Sequence, residues 1–157
     1  METSMTVKAK VGDVVRIPTP KGFGYALYTH KTPGYGALLR VFPGVQSSET
    51  PDLRVILTRK PQFSTFFPLN EAVECGAVEI VANVPVPPDL KPFPVFKAAM
   101  RDPTTGVVSA WWRWDGKKEW RVGELTPEQR VLPVREVIND TLLIERIIGG
   151  WDSTRAS

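Results

Sequence analysis

The 157 residues contain one cysteine, Cys75, and one histidine, His30. A lone cysteine excludes an intrachain disulfide and fits a reducing compartment. Zinc sites need clustered cysteine, histidine or carboxylate ligands at short spacing. No second cysteine or histidine accompanies either Cys75 or His30, so no metal and no cofactor are expected. Long apolar runs are missing too. The longest are a handful of residues, against the ~20 that a membrane-spanning helix requires. Met1 to Met5 lack a basic start leading into an apolar core, so the expectation is a cytoplasmic protein with no membrane partner. A strong charge of one sign is also lacking. Twenty lysines and arginines stand against 17 acids, a net of +3, which permits contact with an anionic partner without calling for one.

Proline and glycine are abundant instead. Fifteen prolines and 12 glycines punctuate nearly every segment, and this excludes long helices from most of the chain. Hydrophobic residues make up 42% and charged residues 24%, a globular balance. The length suits one domain able to bury a core without staples. The expected organisation is a flexible N-terminus over residues 1–9, one β-rich domain over 10–151, and a mobile polar tail over 152–157.

Short strands joined by turns fit the pattern. Gly12–Pro18, Phe23–His30 and Tyr35–Phe42 predict an antiparallel meander, with Lys21-Gly22 and Thr32-Pro33-Gly34 as its turns. Val45–Pro51 reads as a loop, and Leu53–Thr58 as a fourth strand buried on both faces. Phe63–Phe67 reads as an edge segment. Asn70–Cys75 makes one helical turn capped by Asn70, and Ala77–Ala82 a fifth strand. Val84–Pro94 is expected to lie as a polyproline-like strap across the core. Val107–Trp114 and Glu119–Val122 predict a hairpin about Asp115-Gly116, with Trp114 facing Lys117, Trp112 facing Glu119 and Trp111 facing Trp120. One helix stands out near the end: Asp140 caps Thr141–Ile148, and Leu143 with Ile147 share a face. The fold class is mostly β (α+β): an antiparallel curved sheet or small, partly open barrel with one C-terminal helix.

No catalytic residues emerge. A Cys75/His30 dyad competes with a simpler assignment, Cys75 as a small buried apolar side chain and His30 at a strand end. The GxG tripeptides at Gly22–Gly24 and Gly34–Gly36 precede no helix and offer no phosphate cradle. Glu71 with Glu74, and Glu124 with Glu128, have no supporting constellation for acid–base work.

The unusual feature is Trp111, Trp112, Trp114 and Trp120, interleaved with Arg113, Lys117, Lys118 and Arg121. Strand alternation puts Trp112 and Trp114 on one face and Trp111 and Arg113 on the other. A hairpin closing the core is one explanation, with arginine stems on the rings. A protein interface is another, because tryptophan and arginine are enriched at hot spots. A third is stacking on single-stranded nucleic acid. The candidate partner-binding residues are Trp112, Arg113, Trp114, Trp120 and Arg121. If these rings serve an interface, alanine at Trp112 or Trp114 is expected to remove binding without lowering the melting temperature.

Several motifs occur in a suggestive order. They are Gly12-Asp13-Val14-Val15-Arg16-Ile17-Pro18, Gly22-Phe23-Gly24-Tyr25-Ala26, Phe67-Pro68-Leu69, Val78 to Val86, Phe93-Pro94-Val95-Phe96 and Leu143-Ile144-Glu145-Arg146-Ile147. Together they resemble the immunity protein 26 family of bacterial polymorphic toxin systems, over roughly Lys10 to Gly150. Val78 departs from the bulkier aromatic of that pattern, and the Trp hairpin is heavier. The resemblance implies a small, non-catalytic cytoplasmic protein that binds and neutralises a cognate toxin. A net basic inhibitor suits a partner with a neutral or acidic surface. The alternative is a β-barrel nucleic-acid-binding module using the Trp/Arg hairpin.

Overall fold

Glycine turns between short apolar runs, β-branched in the first, generate the first three strands. β1 (Asp13–Thr19), β2 (Gly22–Thr32) and β3 (Gly36–Val41) form the expected meander, with Val15 opposite Ala26 and Tyr28 opposite Leu39. The computed structural model describes residues 8–47 and 51–156. Residues 1–7 of the expected flexible start, 48–50 of the Val45–Pro51 loop and residue 157 of the tail lie outside the described residues. β4 (Phe63–Phe67) flanks β3, and β5 (Glu79–Asn83) flanks β1. The antiparallel order is β4-β3-β2-β1-β5. A second antiparallel sheet contains β6 (Phe96–Arg101), β7 (Val108–Trp114) and β8 (Glu119–Gly123) in sequence order. The architecture is a mixed α/β fold of two antiparallel sheets with helices.

Leu53–Thr58 is not a strand. Residues Leu53–Leu57 form α1, because the Asp52 carboxylate accepts a hydrogen bond from the Arg54 amide at 3.0 Å and starts a helix. Only Ile56 of this apolar run is fully buried. The helical turn expected at Asn70–Cys75 and the C-terminal helix are both present, and the described residues add α1 and one further short helix. α2 spans Leu69–Glu74, α3 Pro127–Arg130 and α4 Asp140–Ile148. Two caps differ from expectation. Pro68 precedes α2, which frees the Asn70 side chain to accept from the Ala9 amide at 2.8 Å. Asn139, not Asp140, caps α4 by accepting from the Leu142 amide at 2.9 Å.

The two faces of the five-stranded sheet are covered differently. Val15, Ile17, Ala26 and Leu39 pack under Leu69 and Ala72 of α2 and Leu143 and Ile147 of α4. Gly24 permits this approach, since a Cβ there would sit 3.0 Å from Ile147. On the opposite face, Val14, Tyr25 and Leu27 pack under Ile56 of α1 and Leu90 of the proline strap. The strap therefore lies across the core, and its residues Pro88–Leu90 form one 3-10 turn. Beside it, Leu38 and Phe66 meet Phe96 and Trp114 of the second sheet.

The segment 133–138 joins the two sheets. Its first half bonds to β6: the Lys97 amide donates to Pro133 and the Arg135 amide to Lys97, both at 2.8 Å. Its second half bonds to β4 through Phe66, with parallel pairing at Val137. One segment thus covers one edge of each sheet, and β5 and β8 remain edge strands.

Candidate functional site

The hairpin register sets which candidate residues can act together. The expected two-residue loop is a four-residue loop, Asp115–Lys118. Trp114 pairs with Glu119, Arg113 with Trp120 and Trp112 with Arg121. The reason is local chemistry. The Asp115 carboxylate accepts from the amides of Lys117 and Lys118, both at 3.0 Å, and the Asp115 amide bonds to the Lys118 carbonyl. Those two amides hold its carboxyl below the ordinary aspartate range. Gly116 has φ +96° and lies against the Phe93 ring, 2.8 Å from where a Cβ would be. Only glycine fits there.

Directly paired residues share a face. Trp112, Trp114 and Arg121 therefore lie on one face of the second sheet, and Arg113 and Trp120 on the other. Trp114 is 8% exposed. It contacts Tyr35, Phe66, Phe93 and Phe96 at centroid distances of 4.8 to 6.0 Å. Arg135 lies over the same ring at 5.3 Å and pairs with Glu119 at 2.7 Å. Trp112 is one step nearer the rim. It shares a shallow groove with Ala98, Met100, Glu119 and Arg135, and its indole nitrogen is shielded from water with no partner among the described residues. On the far face the Arg113 guanidinium stacks on the part-exposed Trp120 ring at 5.2 Å. Lys117, Lys118 and Arg121 are exposed and form no ion pair among the described residues.

Sequence reasoning missed two buried polar nodes. The first surrounds Lys97, which is fully buried in β6. Its ammonium donates to the carbonyls of Arg130 (2.6 Å), Ser153 (2.7 Å) and Ala156 (3.3 Å), and lies 5.5 Å from the centre of the Trp111 ring. Burial, then the neighbouring Arg130 charge, lowers its proton affinity, opposed by Asp152. The segment read as a mobile tail supplies two of these carbonyls, and Ser153 itself is buried. No motif announces this, because backbone carbonyls belong to every residue type.

The second node follows from a bulge in β2 between Tyr28 and His30, opposite Leu38 and Leu39. The extra residue brings Thr29 and His30 to the side of Arg40, which is buried in β3. Arg40 Nε donates to Thr29 Oγ1 at 3.1 Å. His30 Nε2 lies 2.7 Å from the Lys91 carbonyl, and Nδ1 lies 2.9 Å from Thr29 Oγ1. A carbonyl only accepts, so Nε2 carries the proton in the neutral ring and Thr29 donates to Nδ1. Both nitrogens are thus occupied and the ring pins the strap. Cys75 is exposed at the end of α2 rather than buried, and its thiol faces the Ala72 carbonyl at 3.5 Å.

Burial holds the His30 pKa below the ordinary value of about 6.5, with the Arg40 charge acting the same way and the Lys91 carbonyl opposing. The unfolded chain then binds the proton more tightly. Stability is present in full above about pH 6.5 and is lost as pH falls through the lower folded value. Melting temperature followed from pH 8 down to about pH 5 should fall faster for the wild type than for His30→Gln. Parallel curves would show that His30 does not couple protonation to folding.

No family model, curated protein or solved structure matches this chain. The likeness to the immunity protein 26 family is therefore carried by its quoted motifs alone. In the fold those motifs build β1, the first half of β2, the α2 entry, β5, the strap–β6 junction and α4, and Val15, Ile17, Ala26, Val78, Phe96, Leu143 and Ile147 among them are buried.

Proposed function

We propose that this chain is a non-catalytic, immunity-type protein that binds and neutralises a cognate bacterial toxin by protein–protein contact. It acts in the cytoplasm as one β-rich domain over residues 10–151. Its first sheet curves around α2 and α4, a shape supported by the register shifts in β1 and β2. The observation that carries the reading is the outer hairpin. Trp112, sharing a groove with Arg135, and Trp120, stacked under Arg113, are large part-exposed rings next to three cations without ion pairs among the described residues. Trp114 fixes the hairpin from beneath. Rigid aromatic and arginine anchors of this kind dominate binding energy at interfaces. The surplus of cations favours a neutral or acidic partner surface.

A nucleic-acid reading draws on the same cations, but Arg113 already occupies one face of Trp120, and stacking on a base needs that ring. Tagged protein captured from lysate of its source cells, with and without nuclease, separates the two. One large polypeptide retained after nuclease supports the binding reading. Recovered nucleic acid, with every polypeptide lost after nuclease, overturns it.

Trp112→Ala should weaken the retained partner by about 2 kcal/mol, roughly 30-fold in dissociation constant. Its melting temperature should stay within about 3 °C, because a rim residue supports little of the core. Unchanged affinity would remove Trp112 from the interface.

A further inference from the structure

We infer that the open edge of β8 is a strand-docking site for an extended partner segment that alternates acidic and apolar side chains. The inference rests on the binding reading above and names the kind of segment bound.

Two of the four sheet edges, at β4 and β6, are covered by residues 133–138. Of the open ones, β5 carries one charged side chain, Glu79, and Arg16 already engages it. β8 differs. Among the described residues, the backbone of Glu119–Gly123 bonds to nothing beyond β7. Every second residue of such an edge presents both N–H and C=O outward, ready to pair with another strand.

The side chains along this edge alternate in chemistry. Arg121 projects on the face of Trp112, with no acid paired to it among the described residues. Trp120 projects on the other face, backed by Arg113. An added strand also alternates, so it meets Arg121 with one set of side chains and Trp120 with the other. A flat partner resting on one face could not reach both. Residues 117–121 read KKEWR, and the single anion, Glu119, is neutralised by Arg135. Acidic residues on the incoming strand complement this. A second copy of β8 would bring cations against cations.

The test uses a fluorescently labelled short peptide alternating glutamate and valine. Two controls alternate lysine with valine, and glutamate with proline. Anisotropy titration of the full chain should show binding of the first peptide only. Arg121→Glu should weaken that binding about tenfold or more. Hydrogen exchange of the outward amides in 119–123 should slow in the complex. Equal binding of the glutamate–proline peptide, which carries the charge but cannot pair as a strand, would overturn the inference. So would unprotected β8 amides, or self-association of the chain that protects β8. A captured partner whose complex leaves β8 exchanging as in the free protein removes edge docking and keeps the proposed function. Peptide docking on β8 with no polypeptide captured from lysate keeps the edge and removes the immunity-type reading.

Discussion

Trp114→Ala should lower stability by about 3–5 kcal/mol, the range for truncating a large buried aromatic. For a chain of this size that is roughly a 6–20 °C fall in melting temperature. The cost follows from where the ring sits. It meets Tyr35 at the β2–β3 turn, Phe66 on β4, Phe93 on the strap and Phe96 on β6. These four come from three separate regions of the chain, and Trp114 touches all of them. Removing the indole leaves a void where the two sheets meet, and the surrounding rings are too large and too constrained to collapse into it. Arg135 would also lose the face it stacks on. Trp114→Phe keeps an aromatic ring in the cluster, so it should lose less than half as much. Hydrogen exchange adds spatial detail: amides of β6 to β8 should exchange faster in Trp114→Ala than those of β1 to β3. A melting temperature unchanged by Trp114→Ala would mean that the ring lies outside the core and that the hairpin register is wrong.

Trp112 and Trp114 are two residues apart and share a face, yet only one is expected to be costly to remove. Strand alternation told them apart from Trp111 and Arg113. It could not tell them from each other. The difference is distance along β7 from Phe66 and Phe96, and that distance depends on how the second sheet docks on the first. Docking is set by residues far apart in sequence, such as Phe66 and Glu136 meeting in one hydrogen bond. The first three strands were legible because everything that specifies them is local: short runs of β-branched, aromatic and aliphatic residues, with glycine or proline turns between them. α1 was misread for a related reason. A run such as Leu53–Leu57 suits either a buried strand or a short helix, and Asp52 as a helix cap decided the matter. β6 had no strand signature, since Phe96-Lys97-Ala98-Ala99-Met100 has no β-branched residue. It is a strand because β7 and residues 133–135 bond to its two sides. The bulge at Thr29 is equally silent in sequence, although it positions the His30 ring beneath the strap.

Lys97→Met should cost about 3 kcal/mol and free the C-terminal segment. Methionine nearly matches lysine in length and keeps the packing against Trp111, so the change isolates the ammonium. Three carbonyls, on Arg130, Ser153 and Ala156, lose their donor. Each buried acceptor left unsatisfied costs about 1–3 kcal/mol. The full sum is not expected, because the two carbonyls on residues 153 and 156 can swing out to water when the segment lets go. Removing the charge also returns something: a buried ammonium without a carboxylate is itself expensive to desolvate, which is why its proton is held less tightly than in water. The bonds outweigh that cost in the native fold, since Lys97 ties residues 130 and 153–156 to the start of β6. The expected pattern is therefore specific. The melting temperature falls by roughly 6–12 °C, and carboxypeptidase trims the last residues of Lys97→Met while sparing the wild type under the same conditions. His30→Gln serves as a control that perturbs the strap and leaves the C-terminal segment protected. Equal trimming of wild type and Lys97→Met, with no change in melting temperature, would show that the ammonium does not hold the segment in place.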